Sequence, residues 1–284
     1  MKSLITYINE GLKLGKGSRY KYHPETKKEL QEIIQERLIN EGTECNLNDI
    51  DVSKITDMSN LFKGIITGIT KKFNGDISKW DVSNVTNMSF MFSNCKSFNQ
   101  PLNNWNVSNV TDMESMFYEC ESFNQDISKW DVSNVENMAG MFYWCHSFNQ
   151  PLNDWNVSKV TYMNGMFNRC DTFNQSLDKW DVSNVTNMYA MFIGCKSFNQ
   201  SLNNWDVSNV TNMESMFYEC KTFNQNISNW NVSKVTNMQW MFKDSAFNGD
   251  ISNWSLNDKC KTECIFNRCP LEYQQEKLPQ GYKK

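Results

Sequence analysis

The chain is poor in the residues that do chemistry. It has two histidines, His23 and His146, in 284 residues. His146 follows Cys145 directly, and sequence neighbours at that spacing do not converge on one substrate atom. No Cys–His or Ser–His pair is suggested, and no glycine-rich phosphate loop is present. The sequence therefore gives no reason to expect an enzyme, a cofactor or a catalytic residue. Basic charge is also scarce, with 28 lysines and arginines against 32 acids and a net charge of -4. That balance argues against nucleic acid, which needs a basic stripe. No run of 18 apolar residues exists, so no membrane insertion is expected. Residues Met1 to Glu10 lack the continuous apolar core of a secretory signal, which points to the cytoplasm.

What the chain has in abundance is one sentence repeated. Tryptophans fall at Trp80, Trp105, Trp130, Trp155, Trp180, Trp205 and Trp230, 25 residues apart, and then at Trp254 after 24. Self-similarity at this period is the mark of stacked repeats. Methionines other than Met1 occupy two positions of the repeat. All phenylalanines but Phe90 occupy two more. These residues read as stacked core.

The chain divides into three parts. Residues 1–44 form an expected helical cap. Leu4, Ile5, Ile8 and Leu12 suggest a short helix or a loose tail. Thr26-Lys27-Lys28-Glu29 is a capping box, and Leu30, Ile33, Ile34 and Leu38 follow as one apolar stripe ending at Gly42. The spacing predicts a helix over 27–41 that covers the open end of the array. Residues 45–254 are the repeat solenoid. Its first coil has Ile50 in the tryptophan place and about five extra residues between Phe62 and Phe73. Residues 255–284 form a degenerate closing coil and tail, in which Ile265, Phe266 and Cys269 keep the register.

Within a coil, Trp80 and Val82 share one face of an expected strand. Met88, Met91, Phe92, Cys95 and Phe98 are spaced as one stripe of a short helix. Thr86, Asn87 and Asp112 suit its N-cap. The expected class is an α/β solenoid, leucine-rich-repeat-like, with parallel strands, one short helical segment per coil and a helical N-terminal cap. About nine coils would span roughly 40 Å at the usual strand spacing. A lone coil cannot offset its ordering entropy, so neighbours must fold together.

The motif Trp-Asp-Val-Ser-Asn-Val-Thr-Asn-Met-x-x-Met-Phe-x-x-Cys-x-x-Phe-Asn-Gln resembles the BspA-like leucine-rich-repeat surface proteins in their 25-residue variant, known from bacteria and from some large viruses and phages. The resemblance covers roughly 45–271. It implies a right-handed solenoid with a role in protein binding or surface adhesion, and no catalytic residues. It also implies display at a cell surface or outside the cell, as the alternative to the cytoplasm.

Cys95, Cys120, Cys145, Cys170, Cys195 and Cys220 share one repeat position and read as small buried thiols rather than a metal or disulfide ladder. Ser245 takes that position in the 24-residue coil. Cys260, Cys264 and Cys269 leave a disulfide or a metal site open beside plain cap packing, because a tetrahedral site needs a fourth ligand. Asn74, Asn99, Asn124, Asn149, Asn174, Asn199, Asn224 and Asn248 read as a polar ladder satisfying turn backbone. Triplets such as Asn106-Val107-Ser108 arise from the repeat itself.

The informative positions vary while the core does not. Tyr118, Tyr143, Trp144, Tyr162, Tyr189, Tyr218 and Trp240 place aromatic rings on the outer face, where interfaces concentrate them. Tyr118, Tyr143 and Trp144 lie on successive coils and should form one patch. The expected function is a monomeric, non-enzymatic scaffold that binds a protein partner. A secreted or surface adhesin for host matrix or glycan is the alternative, and a structural spacer the blandest reading.

Overall fold

A computed structural model describes residues 19–65, 68–280 and 282. The expected helix or tail around Leu4 to Leu12 lies outside the described residues. The first regular element, α1, runs Lys27–Glu41. Thr26 Oγ1 accepts from the Glu29 N–H, and the Glu29 carboxylate accepts from the Thr26 N–H in return. At the other end Gly42 takes a positive φ of 91°, and its N–H donates to the Leu38 carbonyl. α1 buries Leu30, Ile33, Ile34 and Leu38 against the first coil. Arg37 pins it there, donating to Asp49, Glu41 and the Asn46 carbonyl.

Successive coils are joined by parallel bridges that run Asp57, Asn87, Asp112, Asn137, Tyr162, Asn187, Asn212, Asn237 and Lys261, one residue from each coil. The coil-to-coil packing is direct. Trp105 and Trp130 rings stack 6.4 Å apart at 3°, and Phe92 and Phe117 stack at 5.4 Å. Each of the eight tryptophans at the repeat position donates its indole N–H to a Leu or Ile carbonyl of the coil before, as Trp130 does to Leu102 at 3.0 Å. That bond lets a large ring be buried without stranding its polar atom.

The methionine stripe is not a helix; among the described residues of the repeats there is no α-helix. From Met88 onward the N–H groups alternate in purpose. Met88, Phe90, Phe92 and Asn94 donate to the carbonyls of Asp112, Glu114, Met116 and Tyr118 in the next coil. Met91, Ser93 and Cys95 donate back three residues within their own coil. The segment is thus a chain of tight turns that also carries a parallel ladder. The cause is two left-handed residues per coil, two and six positions after the first methionine. The first column includes Asn60, Phe90, Ser115, Gly140, Gly165 and Trp240; the second includes Gly64, Asn94, Glu119, Trp144, Arg169 and Gly194. An α-helix cannot pass through such residues.

The polar positions expected as helix N-caps have other work. Asn87 and Asp112 accept through Oδ1 from the N–H two residues on, closing Asx turns. Thr86 Oγ1 donates to the Thr56 carbonyl of the coil before. The stretch expected as a strand is bent as well: Trp80 N–H turns back to Ile77 and Val85 N–H to Val82. The asparagines after the second phenylalanine form a continuous ladder, each N–H donating to the previous coil's Oδ1, from Asn99 on Asn74 to Asn248 on Asn224.

All ten cysteines are free thiols. Cys120 S–H donates to the Phe92 carbonyl, and Cys145, Cys170, Cys195 and Cys220 repeat the bond up the stack. Ser245 instead donates within its own coil, to Phe242. Around the closing coil, Cys260 is half-buried, Cys264 exposed and Cys269 buried. No cluster of three or more His, Cys, Asp or Glu side chains suited to a metal occurs among the described residues. No helix there is long and apolar enough to cross a membrane.

Candidate interaction surface

Because every coil repeats the same backbone, a surface position is defined by its offset from the first methionine. The seven aromatic residues fall on different offsets. Tyr118, Tyr143 and Tyr218 stand five residues after that methionine and Trp144 six. Trp240 stands two after, Tyr189 one after and Tyr162 one before. They do not make one patch.

One true cluster forms. Tyr118 and Tyr143 stack at 4.8 Å and 10°, and Trp144 lies parallel to Tyr143 at 6.4 Å. His146 closes the row, 5.7 Å from the Trp144 ring. Their degrees of exposure differ. Trp144 is 38% exposed, whereas Tyr118 and Tyr143 are half-buried. The Tyr143 ring leans over the next coil, so that a Cβ on Gly165 would meet its Cδ2 at 3.5 Å. Burial, reinforced by the neighbouring Glu119, raises the Tyr118 pKa. Trp144 presents its ring from a left-handed residue with φ 61°.

Around this cluster charges are paired from coil to coil. Lys96 meets Glu121 at 2.6 Å and Glu119 at 3.6 Å. Asp171 lies between His146 and Lys196, at 3.3 and 3.0 Å. Arg169 spans two coil spacings to Glu219. Elsewhere Tyr218 lies under Lys243, and Phe90 under Lys63 at 4.3 Å. Tyr162 and Tyr189 lie apart from this cluster on neighbouring coils and are more exposed, 51% and 42%. Tyr162 also replaces the Asx residue of its coil.

Reading only for aromatic rings misses two features. One is the Arg169–Gly194–Glu219 crossing. The other is the charge of the strip beside Tyr162 and Tyr189, where Asp112, Glu114, Glu136 and Glu214 stand on adjacent offsets. Both become legible when the sequence is aligned by coil and read down the columns.

A uniform stack of coils, with the same large apolar residues returning to the core in each coil, is the construction of a repeat protein. The chain belongs to the family described as "Mycoplasma protein of unknown function, DUF285", whose family model matches residues 29–145, 125–217 and 173–277. The three overlapping matches reflect the internal repeat. No curated protein and no solved structure matches the chain.

Proposed function

We propose that this chain is a non-enzymatic protein-binding scaffold of the BspA-like, leucine-rich-repeat kind, with turns in place of the helical segment. The observation that carries the reading is the cluster of Tyr118, Tyr143 and Trp144. Core offsets are committed to stacking and cannot encode a partner. The cluster is different: it is aromatic, contiguous across two coils and held rigid by ring stacking. Rigid aromatic side chains with an exposed edge are the usual anchors of protein interfaces. Trp144 is the ring most available to a partner.

The test is affinity capture from a lysate of the source organism, with the parent chain and a Trp144→Ala variant as baits. A partner retained by the parent and lost by the variant supports the reading. Equal capture by both moves recognition off this cluster. No specific capture by either removes the scaffold reading.

A further inference from the structure

We infer that the strip carrying Tyr162 and Tyr189 is a docking surface for an extended, cationic segment of a partner polypeptide. The inference rests on the scaffold reading and names the chemistry of the partner. The strip consists of the offsets two before, one before and one after the first methionine. From the coil of Thr86 to the coil of Gln239 these offsets hold four acids, Asp112, Glu114, Glu136 and Glu214, and no lysine or arginine.

The four carboxylates are uncompensated. Among the described residues none of them is in an ion pair. Glu114 accepts from the Asn137 amide at 3.2 Å, Glu214 from the Asn237 amide at 2.7 Å, and Asp112 from the Glu114 N–H. Amide donors orient these groups and leave their charge in place. The contrast with the Trp144 side is sharp, because there Glu119, Glu121, Asp171 and Glu219 each meet a base.

The geometry selects among cations. Asp112 and Glu114 stand on one coil, Glu136 on the next, and Glu214 three coils beyond that. Coils at strand-like spacing put the two ends of the strip about 19 Å apart. Such a spread suits no single metal ion, and the sign repels nucleic acid. An extended polypeptide covers that length in about six residues. Between the acidic ends lie the two exposed rings of Tyr162 and Tyr189. Aromatic faces accept the aliphatic stems of lysine and arginine, and their charged heads by cation–π attraction. Acids at both ends with rings between them therefore match a segment with basic side chains at its ends.

The experiment measures fluorescence anisotropy of labelled hexa-arginine against the full chain at about 50 mM salt, where surface charge is only partly screened. Hexa-glutamate is the control. The Glu114→Gln, Glu136→Gln, Glu214→Gln variant keeps an oxygen acceptor at each position and removes the charge. It should weaken hexa-arginine binding about tenfold or more. The Tyr162→Ala, Tyr189→Ala variant leaves charge unchanged and should weaken it at least about threefold. Circular dichroism confirms that each variant is folded. If hexa-arginine does not bind, or binds the strip variants as it binds the parent, the inference is overturned. In that case specific capture of a partner from lysate, by the parent or by Trp144→Ala, would leave the scaffold reading standing, and the absence of any specific capture would remove both.

Discussion

Arg169 reaches across an entire coil to Glu219, its Nη1 2.8 Å from the carboxylate. The coil it crosses presents Gly194, where a Cβ would lie 2.9 Å from Arg169 Cδ and Nη1. Gly194 also takes a φ of 63°. Gly194→Ala should therefore destabilise by about 1–2 kcal/mol, from the left-handed backbone and the displaced guanidinium together. Arg169→Ala alone should cost less than about 1 kcal/mol, since the pair is only partly buried. The double variant should be more stable than the sum of the singles implies, because the clash is gone. Urea unfolding of the four proteins measures this, and strict additivity would refute the crossing.

The asparagine ladder makes a similar claim about backbone. Asn149 Oδ1 accepts from the Asn174 N–H at 2.9 Å and from the Gln175 amide at 3.1 Å. Asn149→Ala removes that acceptor from an exposed N–H, which water can then take, and should cost about 0.5–1.5 kcal/mol. Asn149→Asp keeps an acceptor oxygen in place and should cost less. Thermal melts in which the two variants are equally destabilised would show that the acceptor is not what matters.

The stack was legible from the tryptophan spacing, and the start of α1 from Thr26 and Glu29. The interior of each coil was not. Met88, Met91, Phe92 and Cys95 have the spacing of a helical stripe, but consecutive tight turns also return a side chain to the core every three or four residues. The distinguishing signal lay in the columns between them. Gly140 and Gly165 in one, and Gly64, Asn94 and Gly194 in the other, are residue types that tolerate positive φ. The contact between Tyr118, Tyr143 and Trp144 followed from counting coils. The half-burial of the two tyrosines did not, because it depends on rings leaning over the next coil, which no single-coil pattern encodes.

The cysteine column predicts alkaline lability. Burial pushes the thiols of Cys95, Cys120, Cys145, Cys170, Cys195 and Cys220 far above their ordinary value of 9.0. Below that value both folded and unfolded chains hold these protons, so stability is unaffected. Above it the unfolded chain ionises while the folded stack stays protonated, and stability falls as pH rises. Each thiol should contribute about 1.4 kcal/mol of loss per pH unit. The urea midpoint should drop steeply above about pH 9, and Cys170→Ala should flatten the slope. A midpoint level to about pH 10.5 would contradict it. Cys260 and Cys269, each pushed up to about 11, should resist alkylation at neutral pH, while exposed Cys264 is modified first.

The last prediction separates recognition from folding in the Trp144 cluster. From sequence, truncating Tyr118, Tyr143 and Trp144 together should leave the melt unchanged, as exposed substitutions do. The structure changes that expectation. Tyr143 is half-buried, stacks on Tyr118 at 4.8 Å and covers Gly165. Losing the stack alone should cost about 0.5–1.5 kcal/mol, with lost burial adding to it. Tyr143→Ala should therefore lower the melting temperature, and any binding loss in that variant mixes two causes. Trp144 is the more exposed ring, at 38%. Trp144→Ala gives up its own stack on Tyr143 and should cost about 0.5–1.5 kcal/mol of stability, less than Tyr143→Ala because less burial is lost. Against a captured partner it should lose at least about 2 kcal/mol of binding, roughly a thirtyfold weaker Kd. Calorimetry of that one variant, as a melt and as a titration, decides the matter. A loss of stability well beyond that range would mean that Trp144 serves the packing of the coils and is not offered to a partner. An unchanged Kd in the folded variant would place recognition elsewhere on the coils.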